Sequence, residues 1–140
     1  MDKQPLRVAV VTQEDQVGAW VAGQARQRGG VEVGLIGTAD PAFAARLACA
    51  EAFVLVTPAV EVPVRLREAI VAGYAEWRAK PVAFVAYGTG SGALEQLRCA
   101  FAGLHVVTVG PGLTALDPVA FTAMFEQLEW WGRALRDRIS

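Results

Sequence analysis

The sequence predicts an α/β protein with three layers: a five-stranded parallel sheet of order 2-1-3-4-5 with helices on both faces. Three observations carry this. Five short apolar runs alternate with five stretches of helical periodicity. The runs are apolar at nearly every position, as in strands covered on both sides. The connections are short, and short right-handed crossovers make a parallel sheet.

The elements follow in order. Leu6 to Thr12 is the first strand. Val17, Trp20, Val21 and Ala25 recur at helical spacing, and Gly29-Gly30 ends that helix. Val31 to Ile36 is the second strand. Asp40 caps the next helix, with Pro41 at its first position, and the helix runs to about Ala50. "AFVLVT", Ala52 to Thr57, is the third strand. Pro63 opens a helix with Leu66, Ile70, Tyr74 and Trp77 on one stripe, closed by Lys80-Pro81. Val82 to Tyr87 is the fourth strand, and "GTGSG", Gly88 to Gly92, is the loop after it. Leu94, Leu97 and Phe101 mark a helix that Gly103 ends. His105 to Val109 is the fifth strand. Asp117-Pro118 caps a last helix that reaches about Asp137.

The 140 residues form one domain, 1–140, long enough to bury roughly 68–70% of the unfolded surface without a metal or disulfide. The net charge is −1 and no basic stripe exists, which argues against nucleic acid. No apolar run nears the ~20 residues of a membrane span. A strand begins within a few residues of the start, leaving no room for a signal peptide, so a cytoplasmic location is expected. Cys49 and Cys99 belong to no CxxC and are expected as reduced, buried thiols. His105 is the sole histidine and is read as structural. No spacing suits a metal.

In a doubly wound sheet, ligands sit beyond the carboxyl ends of the strands, where strand order reverses. The loops after strands one, three and four are therefore the candidates. Gly88-Thr89-Gly90-Ser91-Gly92-Ala93 matches G-x-G-x-x-G/A, yet the next strand ends Thr108-Val109-Gly110 without the acid a dinucleotide ribose needs. Its glycines still allow a flat ring or a phosphate close to bare backbone N–H groups. The third-strand loop, Val56 to Pro63, is small and apolar between its Thr57-Pro58 and Pro63 ends, apart from Glu61. The first loop carries Glu14 and Asp15. Acids suit a helix start. One acid ~4 Å from a phosphate charge costs about 4 kcal/mol at an effective dielectric near 20. Receiver domains share this layout, but they need an aspartate after the third strand and a lysine after the fifth. Thr57-Pro58 and Gly110-Pro111 stand there instead.

Two stretches carry a resemblance. "KPVAFVAYGTGSGALEQLRCAFAGLHVVTV", Lys80 to Val109, is similar to the fourth strand, glycine loop and helix of the NADPH-dependent FMN reductase family of flavodoxin-like proteins. "VTPAVEVPVRLREAI", Val56 to Ile70, resembles its T-P-E-Y-N…P-x-x-L-K-N-A-I segment through Thr57, Pro58, Pro63, Leu66, Arg67, Ala69 and Ile70. The chain looks like a shortened member with a degenerate phosphate-binding loop. The family's G-S-x-R-x-x-S is missing; Gln13, Glu14 and Gln16 stand near its positions.

The resemblance implies an FMN-dependent NAD(P)H oxidoreductase of flavin or quinone reductase type. In such an enzyme hydride would pass from the nicotinamide to flavin N5 and on to a small acceptor. Backbone N–H groups of Gly88, Thr89, Gly90 and Ser91 would meet the ring's polar edge, next to Tyr87. Pro58, Ala59 and Val60 would wall it, with Glu61 alongside. Thr12, Gln13, Glu14 and Gln16 would lie at the phosphate end. No catalytic side chain is assigned, because a flavin carries its own chemistry. Two other readings stay open: a flavin-free descendant with another small ligand in the same crevice, and a non-catalytic interaction subunit. In the last helix Phe121, Leu128, Leu135 and Ile139 share a face, and Trp130 falls almost opposite Phe121. An outward Trp there suggests a homodimer.

Overall fold

The computed structural model describes residues 4–13 and 15–139. Its strands β1 (Leu6–Thr12), β2 (Val31–Gly37), β3 (Ala52–Pro58), β4 (Pro81–Tyr87) and β5 (Val107–Thr108) form one sheet. Their order is β2-β1-β3-β4-β5, and every pair is parallel. The helices are α1 (Asp15–Arg26), α2 (Phe43–Cys49), α3 (Val64–Ala72), α4 (Tyr74–Trp77), α5 (Gly92–Ala102) and α6 (Pro118–Ile139). The predicted fold class and strand order are thus observed.

Side-chain alternation divides each strand between two cores. Val8, Val10, Val54, Val56 and Val85 face α1 and α6, where they meet Val21, Phe121, Phe125 and Leu128. Ala9, Val11, Phe53, Leu55 and Phe84 face the other way, against Leu47, Leu66, Ile70, Leu97 and Phe101. β3 and β4 are apolar and buried nearly throughout because both of their faces are covered.

Four expectations need correction. The helix expected from Pro63 to Lys80 is two helices. Gly73 sits at the break, and a Cβ there would stand 2.8 Å from Trp77 Nε1. That indole is fully buried, donates to the Ile70 carbonyl at 2.9 Å, and packs edge-on against Phe53 and Phe101. Tyr74 leaves the expected stripe and is 39% exposed.

The fifth strand is shorter than His105 to Val109. His105 is exposed, with φ 55, and its carbonyl accepts from Ala79 N at 2.9 Å in a turn. After Thr108 the chain pairs again through Val109 N to the Val82 carbonyl and Leu113 N to the Phe84 carbonyl. Gly110-Pro111-Gly112 loops out between them, with positive φ at both glycines.

α2 begins at Phe43 rather than at Pro41. Asp40 still ends the preceding turn: Oδ1 accepts from Ala42 N at 2.8 Å, and Oδ2 pairs with Arg46 at 2.7 Å. Cys49 and Cys99 are free thiols but exposed, not buried. Cys99 lies between the buried Leu97 and Phe101, so it points off the far side of α5.

α6 closes the molecule. Arg136 Nη1 donates to the carbonyls of Gln4 and Pro5 at 3.2 and 3.3 Å, and lies 3.5 Å from Glu51. Arg133 donates to the Gly30 carbonyl at 2.7 Å, and Arg28 pairs with Glu126 and Glu129. These bonds tie the last helix to both ends of the first βα unit.

Candidate functional site

The loops after β1, β3 and β4 meet at the carboxyl crest of the sheet, where the sequence placed the site. In the first loop Gln13 and Gln16 are exposed. Thr12 is fully buried, and its methyl lies 2.6 Å from where a Cβ on Gly18 would sit, so α1 covers it. Glu14 and the Asp15 side chain lie outside the described residues.

The third-strand loop rests on the glycine loop. Ala59 N donates to the Tyr87 carbonyl at 2.7 Å, and Ala93 N donates to the Ala59 carbonyl at 3.0 Å. Val62 N donates to Gln96 Oε1 at 2.7 Å. Between these anchors the Val60 backbone crosses the glycines. A Cβ on Gly90 would stand 2.6 Å from Val60 Cα, and one on Gly92 would stand 2.7 Å from Val60 O. Both glycines therefore make room for this chain's own backbone. The close approach foreseen for a ligand at Gly90 is made by Val60 on that side.

Gly88 differs. A Cβ there would meet nothing within 4 Å, and φ is +85. Gly88, Thr89, Gly90 and Ser91 are all exposed. Their backbone N–H groups make no hydrogen bond with a described residue. Four donors therefore stand open at the start of α5, where a helix end also concentrates partial positive charge. Beside them Tyr87 and Pro58 are half-buried and in register across β3 and β4. Ala59 is buried, while Val60 and Glu61 are exposed. The open donors and this apolar flank fit the polar edge and face of a planar ring.

The other end of the crest lacks what a phosphate needs. None of the loops that follow the five strands contains Lys or Arg, while Glu14, Asp40, Glu61 and Asp117 all lie in them. Asp40 is engaged locally. The Ala42 N–H, then Arg46, hold its carboxyl below the ordinary 3.8. The residues present suit the ring of a flavin and do not suit its phosphate. Among the described residues no group of His, Cys, Asp and Glu could hold a metal ion.

Against this geometry stand the comparisons. The sequence model of the NADPH-dependent FMN reductase family matches residues 39–120, more than half of the chain. The chain belongs to this family. The match begins after the altered first loop and takes in the third-strand loop, the glycine loop and α5. No curated protein is significantly similar in sequence.

Solved structures agree on the fold of this FMN reductase family member. The two-electron reduced flavodoxin of Megasphaera elsdenii superposes with a TM-score of 0.69 at 14% identity, covering 90% of this chain and 98% of that one. A flavodoxin-like domain from Synechococcus sp. gives 0.66 at 18% identity, over 93% and 99%. The flavodoxin of Fusobacterium nucleatum, solved bound to flavin mononucleotide, gives 0.57 at 12% identity, over 94% and 98%. Family and fold together support a flavin-related oxidoreductase or electron-transfer function. No helix among the described residues is long and apolar enough to cross a membrane.

Sequence reading missed Gln96 as a site residue. It stands 34 positions from Val62, inside the Lys80 to Val109 stretch that carries the resemblance. Thr57, one of the residues that carry the resemblance, is fully buried in β3, and its Oγ1 donates to the Pro58 carbonyl at 3.1 Å.

Proposed function

We propose that this family member is an FMN-dependent NAD(P)H oxidoreductase of the flavin reductase type, holding its flavin by the ring rather than by the phosphate. One observation carries the reading: four open backbone donors, Gly88 to Ser91, beside the Pro58–Tyr87 flank, in the segment that the family model matches. A bound flavin would supply the two-electron chemistry, taking hydride from NAD(P)H at N5 and passing it to a small acceptor such as a quinone, an azo compound or free flavin.

The chain's own part is to bind and orient. The N–H groups of Gly88, Thr89, Gly90 and Ser91 meet the ring's polar edge. Pro58, Ala59 and Val60 flank its face, and Gln96 holds that flank against α5. Gln13 and Gln16 offer neutral amides at the far end. The loops that follow the strands carry no Lys or Arg to pair with the phosphate, so FMN exchanges readily and behaves as a passing substrate. Riboflavin then binds at least as tightly as FMN.

The test is a titration of both flavins, following their fluorescence. Quenching by both, with riboflavin no weaker, is expected. No quenching of either up to about 1 mM overturns the proposal. That result would favour the second reading, a flavin-free descendant that takes a neutral or cationic planar molecule on the same loops. The absence of Lys and Arg from the loops that follow the strands is the observation that recommends it.

A further inference from the structure

α2 leaves part of the sheet uncovered beside the edge strand β2. Strand alternation turns Gly34 and Ile36 of β2 and Ala9 of β1 to the α2 side. Ala9 and Gly34 are opposite each other in the register, so the floor there carries a single methyl group. α2 is only seven residues long and borders this floor with Ala45, Arg46 and Cys49. The result is an open trough of about 340 Å³. Small-molecule sites begin at about 300 Å³. No lining residue belongs to the loops after β1, β3 and β4, so the trough is separate from the flavin site proposed above.

One guanidinium reaches over the floor. A Cβ on Gly34 would find a single heavy atom within 4 Å among the described residues, Arg46 Nη2 at 3.3 Å. Asp40 takes Arg46 Nη1 at 2.7 Å. Arg46 Nε and Nη2, the other edge of the fork, donate to no described residue. Arg7 closes one end of the trough. Its Nε donates to the Cys49 carbonyl at 2.7 Å, and its Nη2 lies 3.8 Å from Glu51. Glu32 is opposite Arg7 in the register and is exposed to water. It stands two residues from Gly34, about 7 Å along the strand. An anion on Arg46 therefore sits beside a guanidinium and away from that carboxylate.

We infer that this trough binds a small aromatic monocarboxylate. The free edge of Arg46 offers two parallel N–H donors, the geometry that a carboxylate accepts. The flat floor of Ala9 and Gly34, with Ile36 and Ala45 beside it, takes the ring. Asp40 already balances part of the Arg46 charge, so a single negative charge is matched and a phosphate dianion is not. The inference does not rest on flavin binding.

Cys49 lines the trough and is exposed, so its alkylation reports occupancy. The experiment treats the wild-type chain with iodoacetamide and follows Cys49 and Cys99 separately by peptide mass. The probe is 3-phenylpropionate, and 3-phenylpropionamide is its uncharged counterpart. A ligand of this size should bind with a dissociation constant of about 1 mM. At about 10 mM the acid should therefore slow Cys49 threefold or more and leave Cys99 unchanged. The amide should protect Cys49 far less. Arg46→Gln should reduce protection by the acid to that given by the amide, while the amide acts equally on both proteins, which a merely loosened α2 would not allow. Gly34→Val, a substitution suited to a strand, fills the trough and should abolish protection by either probe. No protection of Cys49 by the acid overturns the inference. So does equal protection by acid and amide, protection undiminished in Arg46→Gln, or equal slowing of both cysteines.

Discussion

The indole N–H of Trp77 is bonded to the carbonyl of Ile70, across the break between α3 and α4. The buried ring satisfies a backbone acceptor that the interrupted helix would otherwise use itself. Trp77→Phe keeps an aromatic ring against Phe53 and Phe101 but leaves that carbonyl without its donor. The expected loss is about 2 kcal/mol of stability, read by urea denaturation with an unchanged m-value. A loss under a few tenths would mean that the bond contributes nothing net.

Gly90 and Gly88 should respond differently to alanine. At Gly90 the new methyl meets the Val60 backbone, and φ is +112. Strain and displacement together should cost about 3 kcal/mol and lift the third-strand loop off α5. At Gly88 only the positive φ opposes the change, at about 1 kcal/mol. Hydrogen exchange at Ala59 and Ala93 should rise in Gly90→Ala alone. Equal exchange in both variants would refute the packing role given to Val60.

The first loop can be tested by charge. Replacing Glu14 by Ser and Asp15 by Arg removes two negative charges and adds one positive. FMN affinity should rise about tenfold or more, a gain of at least ~1.4 kcal/mol. Riboflavin, which has no phosphate, should bind as before. A parallel rise for both flavins would show that the loop acts by shape and not by charge.

Asp40 should shape the acid limb of stability. Its carboxyl is held below 3.8 by the Ala42 N–H and by Arg46. Its stabilising contribution is therefore complete above 3.8 and is lost as pH falls through the lower, folded-state value. Asp40→Asn should remove that part of the pH dependence, so the two stability curves converge at low pH and separate above 3.8. Curves that stay parallel throughout would contradict the assignment.

The strands could be read from sequence because each is a run of apolar residues, and both cores exist wherever helices cover both faces. What escaped reading depends on contacts distant along the chain. Gly73 looks like a tolerable helix residue until the Trp77 indole is found beside it. The fifth strand looks continuous until Leu113 returns to pair with Phe84 and Ala86. Gly90 and Gly92 read as a ligand's cradle, because a motif cannot say whose backbone approaches. The sequence named the N–H groups of Gly88 to Ser91 as candidates, and among the described residues nothing accepts from them. The role of Gln96 was not foreseen, since a lone amide on a helix carries no spacing signal.

The grip of Arg136 on Gln4 and Pro5 spans 132 and 131 positions of the chain. Until those last turns are made, α6 cannot lie over Val54 and Val85, and only α1 covers that face. A nascent chain must therefore wait with that side of its sheet half covered, and changes within α6 should trouble solubility more than those in the exposed loops.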